Sequence, residues 1–422
     1  MAEPVLARSG CGLTHKQRES AVRVFEGLKV IDAAGYIAAP GAATILSDFG
    51  ADVIKIEQPG EGDGFRKVHS MPNQAVSEHN YLWMQVARNR RALALDLKQP
   101  EGQKVLHRLV ASADVLITNY PPHVRPRLGL AWAQIEPLNQ RLIYASLTGF
   151  GETGPESVKP GFDATTYWAR SGLADLVKAD PDGPPSNPAN GMGDQPTAGI
   201  LYGAIVTALY RRERTGCGGM VSTSLLANGA WANAMSIQAA LVGGDVVYRQ
   251  PRSQPRNALT NYYRCRDGRW FILSLISDER AWPSFAPLVG ISHLMNDPRF
   301  ATTPARRSHA AELAVALDAA FAQRDSAEWQ AMFEAEGHAV GVIARTADVV
   351  HDAQMRRVGA LVPGDGIPGT GLTVDSPFHI SGEAKVRPQP APDVGQHSEE
   401  VLREVGYSTE EIERLHRGGV VG

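Results

Sequence analysis

"GLKVIDAAGYIAAPGAATILSDFGADVIKIE", residues 27–57, is the stretch on which the reading of the fold turns. Gly27–Asp32 is a short apolar run with strand character, Ala39–Phe49 is a string of small residues suited to a helix, and Ala51–Glu57 is a second strand. Strand, helix and strand in that order make a parallel βαβ unit. A second unit follows: "RRALALDLK" (90–98) as strand, "PEGQKVLHRLVASA" (100–113) as a helix opened by proline, and "DVLITNY" (114–120) as strand. "RLIYASLTGFG" (141–151) adds one more strand that runs out into a Gly-rich turn. This alternation predicts an α/β fold with a Rossmann-like, doubly wound sheet. Ligands of such sheets sit beyond the carboxyl ends of the strands, where "ITNYPPH", "SLTGFGETG" and "PGFD" fall.

Farther along, "GDQPTAGILYGAIVTALY" (193–210) predicts a closely packed helix, and "MVSTSLLANGAWANAMSIQAALVGG" (220–244) a second, apolar one. Residues 246–261 turn to Arg, Pro, Gln and Asn and read as a loop. "YYRCRDGRWFILSL" (262–275) reads as a hairpin turning at Asp267-Gly268. The stretch 278–340 is helical in pattern, as is 347–360, and two capped helices, "SEEVLREVG" and "STEEIERLHRGG", close the chain. The domain expectation is a large domain over 20–228 completed by 345–422, with a smaller α+β domain and its connectors over 229–344.

Composition narrows the function. A net charge of −3 over 422 residues gives no basic footprint for nucleic acid, and no apolar run is long enough to span a bilayer. Cys11, Cys217 and Cys265 are odd in number and unpaired in spacing, so they read as reduced thiols. Residues 1–20 lack the apolar core of a signal peptide, and the expected location is the cytoplasm. There is no GxxxxGK[ST], HExxH or CxxC, so no ATP loop and no metal site is expected.

One acid stands out. In "KPGFDATTYWARSG" (159–172), Asp163 follows a Pro-Gly-Phe turn and precedes a helical run, with no second acid, His cluster or serine nucleophile motif beside it. Read from these residues alone it is a helix N-cap.

The motifs taken together resemble one family. "GLKVIDAAGYIAAPGAATILSDFGADVIKIEQPGEGD", "NRRALALDLKQPEGQKVLHRLVASADVLITNY", "RLIYASLTGFGETGP", "GFDATTYWARSG" and "GDQPTAGILYGAIVTALYRRERTGCGG" look like the class III CoA-transferases. That family is also called the carnitine dehydratase/bile-acid-inducible F family and includes formyl-CoA transferase and α-methylacyl-CoA racemase. The resemblance implies an interlocked homodimer of two-domain chains, with coenzyme A as substrate and no permanently bound cofactor. It implies that Asp163 is the nucleophile, carrying CoA from an acyl-CoA donor, read here as succinyl-CoA, to a small carboxylic acid through anhydride and thioester intermediates. It also implies that Tyr36, Ile37 and Ala38 lie along the pantetheine arm, that Ala87, Arg88, Asn89 and Arg90 meet the nucleotide, and that Asn119, Tyr120 and Arg127 flank it. Thr148, Gly149 and Phe150 then form the turn beside the thioester. The electrostatic warrant is that CoA phosphates need converging cations, and "RNRR" (88–91) with Arg125 and Arg127 offers them.

Two departures bear on the reaction. "RSQPRNALTN" (252–261) has no glycine run of the formyl-CoA transferase kind, and Thr148 stands where a family lysine is expected. The alternative activity is a 2-methylacyl-CoA racemase using Asp163 as acid and base. It needs a histidine shortly before "RLIYAS", where this chain has none; Glu136 stands near the expected place and His123 lies farther upstream. Arg170, Arg252 and Arg256 are candidates for holding a distal carboxylate of a dicarboxylic substrate.

Overall fold

A computed structural model describes residues 23–422. Cys11 and the opening twenty residues lie outside the described residues. The first strand, β1 (Lys29–Ala33), is followed by helix α1 (Ala38–Asp48) and β2 (Asp52–Glu57); then come helix α2 (Tyr81–Ala87), β3 (Arg91–Ala94), helix α3 (Pro100–Ala111), β4 (Val115–Thr118) and β5 (Ile143–Thr148). Helix α4 (Asp194–Thr215) leads into β6 (Gly219–Ser224) and helix α5 (Leu225–Ala232). The six strands form one sheet in the order β3-β2-β1-β4-β5-β6, parallel throughout. This is the doubly wound order, and its direction reverses between β1 and β4. β4 is buried along its whole length and β1 at every residue after Lys29, as parallel strands covered by helices on both faces must be.

One face packs α1 against α4. Every residue of α1 is buried, and a Cβ on Gly41 would lie 2.8 Å from the Ala198 Cβ, so the small residues there permit the close approach. The other face packs α3 with the carboxyl-terminal helices Ser398–Glu404 and Thr409–Arg417. The tail is hydrogen-bonded to the sheet edge: Ala94 N–H donates to Ser398 Oγ, and Asp96 N–H to the Val420 carbonyl.

Residues 220–224, expected as the start of a helix, are instead the sixth strand, in register with β5 from Ile143↔Gly219 to Thr148↔Ser224. The Val-Ser-Thr-Ser run is partly exposed at the sheet edge, and Ser224 ends it by accepting the Ala227 N–H as the cap of α5. The helix expected over 347–360 is broken into Thr346–Val349 and Ala353–Arg357.

By contacts the chain forms two units. One gathers residues 23–172, Pro188–Ala234 and Arg356–Gly422; the other is Leu173–Asn187 with Met235–Met355. The second has a three-stranded antiparallel sheet, β7 (Tyr262–Arg264), β8 (Trp270–Leu273) and β9 (Val340–Val342), with the Asp267-Gly268 turn between the first two. Its core is aromatic, built on Phe271, Phe285, Phe321, Trp329 and Phe333. Among the described residues no helix is long and apolar enough to cross a membrane, and no cluster of His, Cys, Asp or Glu is arranged to hold a metal ion.

Candidate active site

The site begins where β5 ends. Thr148 Oγ1 accepts the Gly151 N–H at 2.8 Å and turns the chain out of the sheet. The backbone of Gly149 then crosses that of Gly161 so closely that a Cβ on Gly149 would lie 2.8 Å from the Gly161 Cα. This crossing lays Pro160–Phe162 over the end of β5. Asp163 opens the π-helical turn Asp163–Ala169, a geometry that recurs at functional sites.

Asp163 does not cap that turn. Its Oδ2 accepts the Gly193 N–H at 3.1 Å, just before α4. Its Oδ1 is buried without a hydrogen-bond partner. Burial raises the Asp163 carboxyl above its ordinary value, against the pull of the N–H groups of Gly193, Asp194 and Gly191. The fold also supplies the second acid that the local sequence lacks. Asp194, on the first turn of α4, is pushed up to about 7 by burial and then by the charge of Asp163. At neutral pH this site holds two carboxyl groups with less than two full charges.

A second feature lies at the reversal point of the sheet. The Gly35 N–H donates to Asn119 Oδ1 at 2.9 Å and Asn119 Nδ2 returns a bond to the Gly35 carbonyl at 2.8 Å, clamping the β1 and β4 exits together. Tyr36 follows with a left-handed backbone, φ 66°, which costs a non-glycine residue energy and needs support. The support is buried charge: Asp63 accepts the Tyr36 N–H at 3.2 Å and pairs with Lys55 Nζ at 3.0 Å, and Lys55 also donates to the Ala34 carbonyl. Burial pulls the Lys55 ammonium down, but Asp32, Asp63 and Glu57 more than offset it, so its pKa is raised. The Tyr36 ring reaches Phe162, the neighbour of Asp163, edge-on at 6.3 Å between centroids.

Beside the strand ends lies a cavity of about 430 Å³ lined by Ala33, Ile56, Leu97, Lys98, Tyr120 and Arg127, among others. Tyr120 and Arg127 were expected at a nucleotide site; Lys98 was not, although its place between β3 and the proline-led α3 was a readable strand-to-helix turn. Lys98 and Arg127 are exposed and carry no ion pair among the described residues. The other cations of the expected cluster are occupied. Arg88 is buried and forks onto Asp48 at 2.9 and 2.7 Å, and Arg90 is buried against Asp32 at 2.5 Å. Arg91 binds Asp52, Glu400 and Glu404, and Arg125 forks onto Glu152. Ala87 is fully buried, and Asn89, left-handed at φ 58°, ties Asp48 to the Gln389 N–H. The segment 87–90 is thus anchored in the sheet and is not part of the cavity wall. Ile37 and Ala38 lead into α1, and Gly149 and Phe150 stand half-buried beside Gly161. Glu136 and His123 are both exposed. Of the three arginines considered for a distal carboxylate, Arg170 pairs with Glu156 and Arg252 with Asp318, while Arg256 is exposed in the second unit.

Comparison with known proteins decides the family. Residues 25–398 match the model for CoA-transferase family III. The chain belongs to that family. It is a CoA-transferase. The (R)-2-hydroxy-4-methylpentanoate CoA-transferase of Clostridioides difficile is 32% identical, over 94% of this chain and 99% of that one. The succinyl-CoA:glutarate CoA-transferase of Mus musculus is 31% identical, over 95% and 91%. A solved CaiB/BaiF family protein from Brucella suis has a TM-score of 0.82 at 29% identity, covering 91% of this chain and 100% of that one. The α/β architecture with its parallel sheet is therefore shared with family III CoA-transferases and their solved relatives.

Proposed function

We propose that Asp163 is the covalent carrier in this CoA transfer. The observation that supports it is the division of labour on its carboxylate, with Oδ2 held by the Gly193 N–H and Oδ1 buried and bare. Oδ1 attacks the donor thioester carbonyl; the C–S bond breaks, CoA leaves as thiolate and a mixed anhydride forms. The thiolate attacks the Asp163 acyl carbon of that anhydride, expels the donor acid as carboxylate and leaves an aspartyl-CoA thioester. The acceptor carboxylate then repeats both steps in reverse, and Asp163 is regenerated. One thioester replaces another, so no ATP is needed, and a hard displacement is divided into easier ones. Negative charge that develops on Oδ2 when its carbon is attacked meets the N–H groups ahead of α4.

The CoA nucleotide lies in the cavity at the strand ends, with Lys98 and Arg127 on its phosphates, Tyr120 at its wall and Tyr36 leading the pantetheine arm toward Phe162 and Asp163. Ile37, Asn119, Thr148, Gly149 and Phe150 act through the backbone turns they form, and 87–90 braces the sheet beneath. The protein works as an interlocked homodimer in the cytoplasm. Relatives named for a branched hydroxy acid and for dicarboxylic acids stand at nearly equal identity, so their names do not select the acyl group. The test is exchange of a labelled free acid into its own CoA thioester. Wild type should catalyse it and Asp163→Ala should not; exchange retained by the variant would remove Asp163 from the reaction.

A further inference from the structure

We infer that the acyl group delivered to Asp163 is uncharged and apolar, a branched aliphatic or aryl chain, and that Phe162, Met192 and Tyr36 are the side chains that select it. The inference rests on Asp163 as carrier and goes on to name its substrate class.

The first observation is a set of apolar side chains left uncovered around one carboxylate. Phe162 directly precedes Asp163 and is 58% exposed. Met192 directly precedes Gly193, the residue that donates to Asp163, and is 51% exposed. Tyr36 is 50% exposed, and its ring meets that of Phe162 edge-on. Tyr36 holds this place from a left-handed backbone, supported by Asp63 and Lys55. Single exposed apolar side chains need no explanation, but two touching rings, one next to the nucleophile and one on a strained backbone, with a third apolar side chain next to the residue that donates to it, offer a wall to an apolar ligand.

The second observation is charge. The two segments that build the site, 155–172 and 188–195, contain two cations, Lys159 and Arg170. Both close on Glu156, at 2.6 and 3.0 Å. The same segments place two acids together, Asp163 and Asp194. A second carboxylate on the acyl chain would enter a site with no free cation in these segments and two acids already present. Like charges disfavour it while the apolar wall gives it nothing in return.

The experiment uses the full chain and one acceptor, butyrate, with 4-methylpentanoyl-CoA, cinnamoyl-CoA and succinyl-CoA as donors. The expected kcat/KM for either apolar donor exceeds that for succinyl-CoA by about tenfold or more. Met192→Arg should shift the ratio toward succinyl-CoA by supplying the missing cation. Phe162→Ser should reduce it from the other side, by weakening the apolar donors, and serves if the arginine variant does not fold. Succinyl-CoA used as well as the apolar donors, with transfer still dependent on Asp163, overturns the substrate class and leaves the carrier intact. Transfer that persists in Asp163→Ala overturns the carrier and this inference with it.

Discussion

The Gly193 N–H donates to Asp163 Oδ2 at 3.1 Å, thirty residues along the chain. Glycine is required at 193 by space and not by backbone angle, since φ there is −99°. A Cβ would lie 2.3 Å from Asp163 Oδ1 and 2.5 Å from Tyr167 Cγ. Gly193→Ala must therefore displace the carboxylate. Misplacing a reacting group by about 1 Å costs roughly 10²-fold in rate. The expected result is a fall in kcat of that order with KM for the acyl-CoA nearly unchanged, measured on protein whose thermal melt shows it folded. Unchanged kcat would mean that the carboxylate position does not matter.

Asp194 gives a pH signature. Its folded pKa, about 7, lies above the ordinary carboxyl value, so the native state holds a proton that the unfolded chain releases. The associated stability is fully present below the ordinary value of 3.8 and is lost as pH rises through about 7. Asp194→Asn has no charge to bury. Its Tm should match wild type near pH 4 and exceed it increasingly toward pH 8. A constant Tm difference across that range would mean that Asp194 is not perturbed.

Rate should respond to pH through Asp163, which attacks only when ionised. Because burial raises its pKa in the free protein, the acid limb of the kcat/KM profile should lie above the ordinary carboxyl range. A limb at or below that range would contradict the burial described here.

At the cavity, Lys98→Ala and Arg127→Ala each remove one charge-assisted contact to a phosphate, worth about 1.5–3 kcal/mol. Each should raise KM for acyl-CoA by roughly ten- to a hundredfold and leave kcat in place. A change in kcat alone would place the nucleotide elsewhere.

Asp63→Ala would leave the buried Lys55 ammonium short of a partner and would orphan the Tyr36 and Phe65 N–H groups. Breaking a buried pair from one side costs about 3–5 kcal/mol. Denaturant unfolding should show a loss of that size.

The parallel sheet was legible because its inner strands are short runs rich in Val, Ile and Leu and alternate with helices that carry small residues or proline-led starts. The sixth strand was not, since Met220–Ser224 is partly exposed and polar, and it merges without a break into the apolar helix that follows. Asp163 could be picked out locally, but Asp194 as its neighbour could not, because thirty-one residues separate them and only the packing of α4 on the sheet joins them. The "RNRR" run shows how charge patterning misleads about depth. Arg88 and Arg90 read as a phosphate site, yet α1 and β1 bury Asp48 and Asp32 against them. Lys98, one strand-end away, is with Arg127 a cation left at the cavity.

The most direct measurement is to incubate the protein with an acyl-CoA, trap with hydroxylamine or borohydride, and identify the modified peptide by mass spectrometry. A modification at Asp163 that requires acyl-CoA is the predicted result. An unmodified Asp163, with deuterium from solvent appearing at the substrate α-carbon instead, would contradict the carrier role and point to proton transfer.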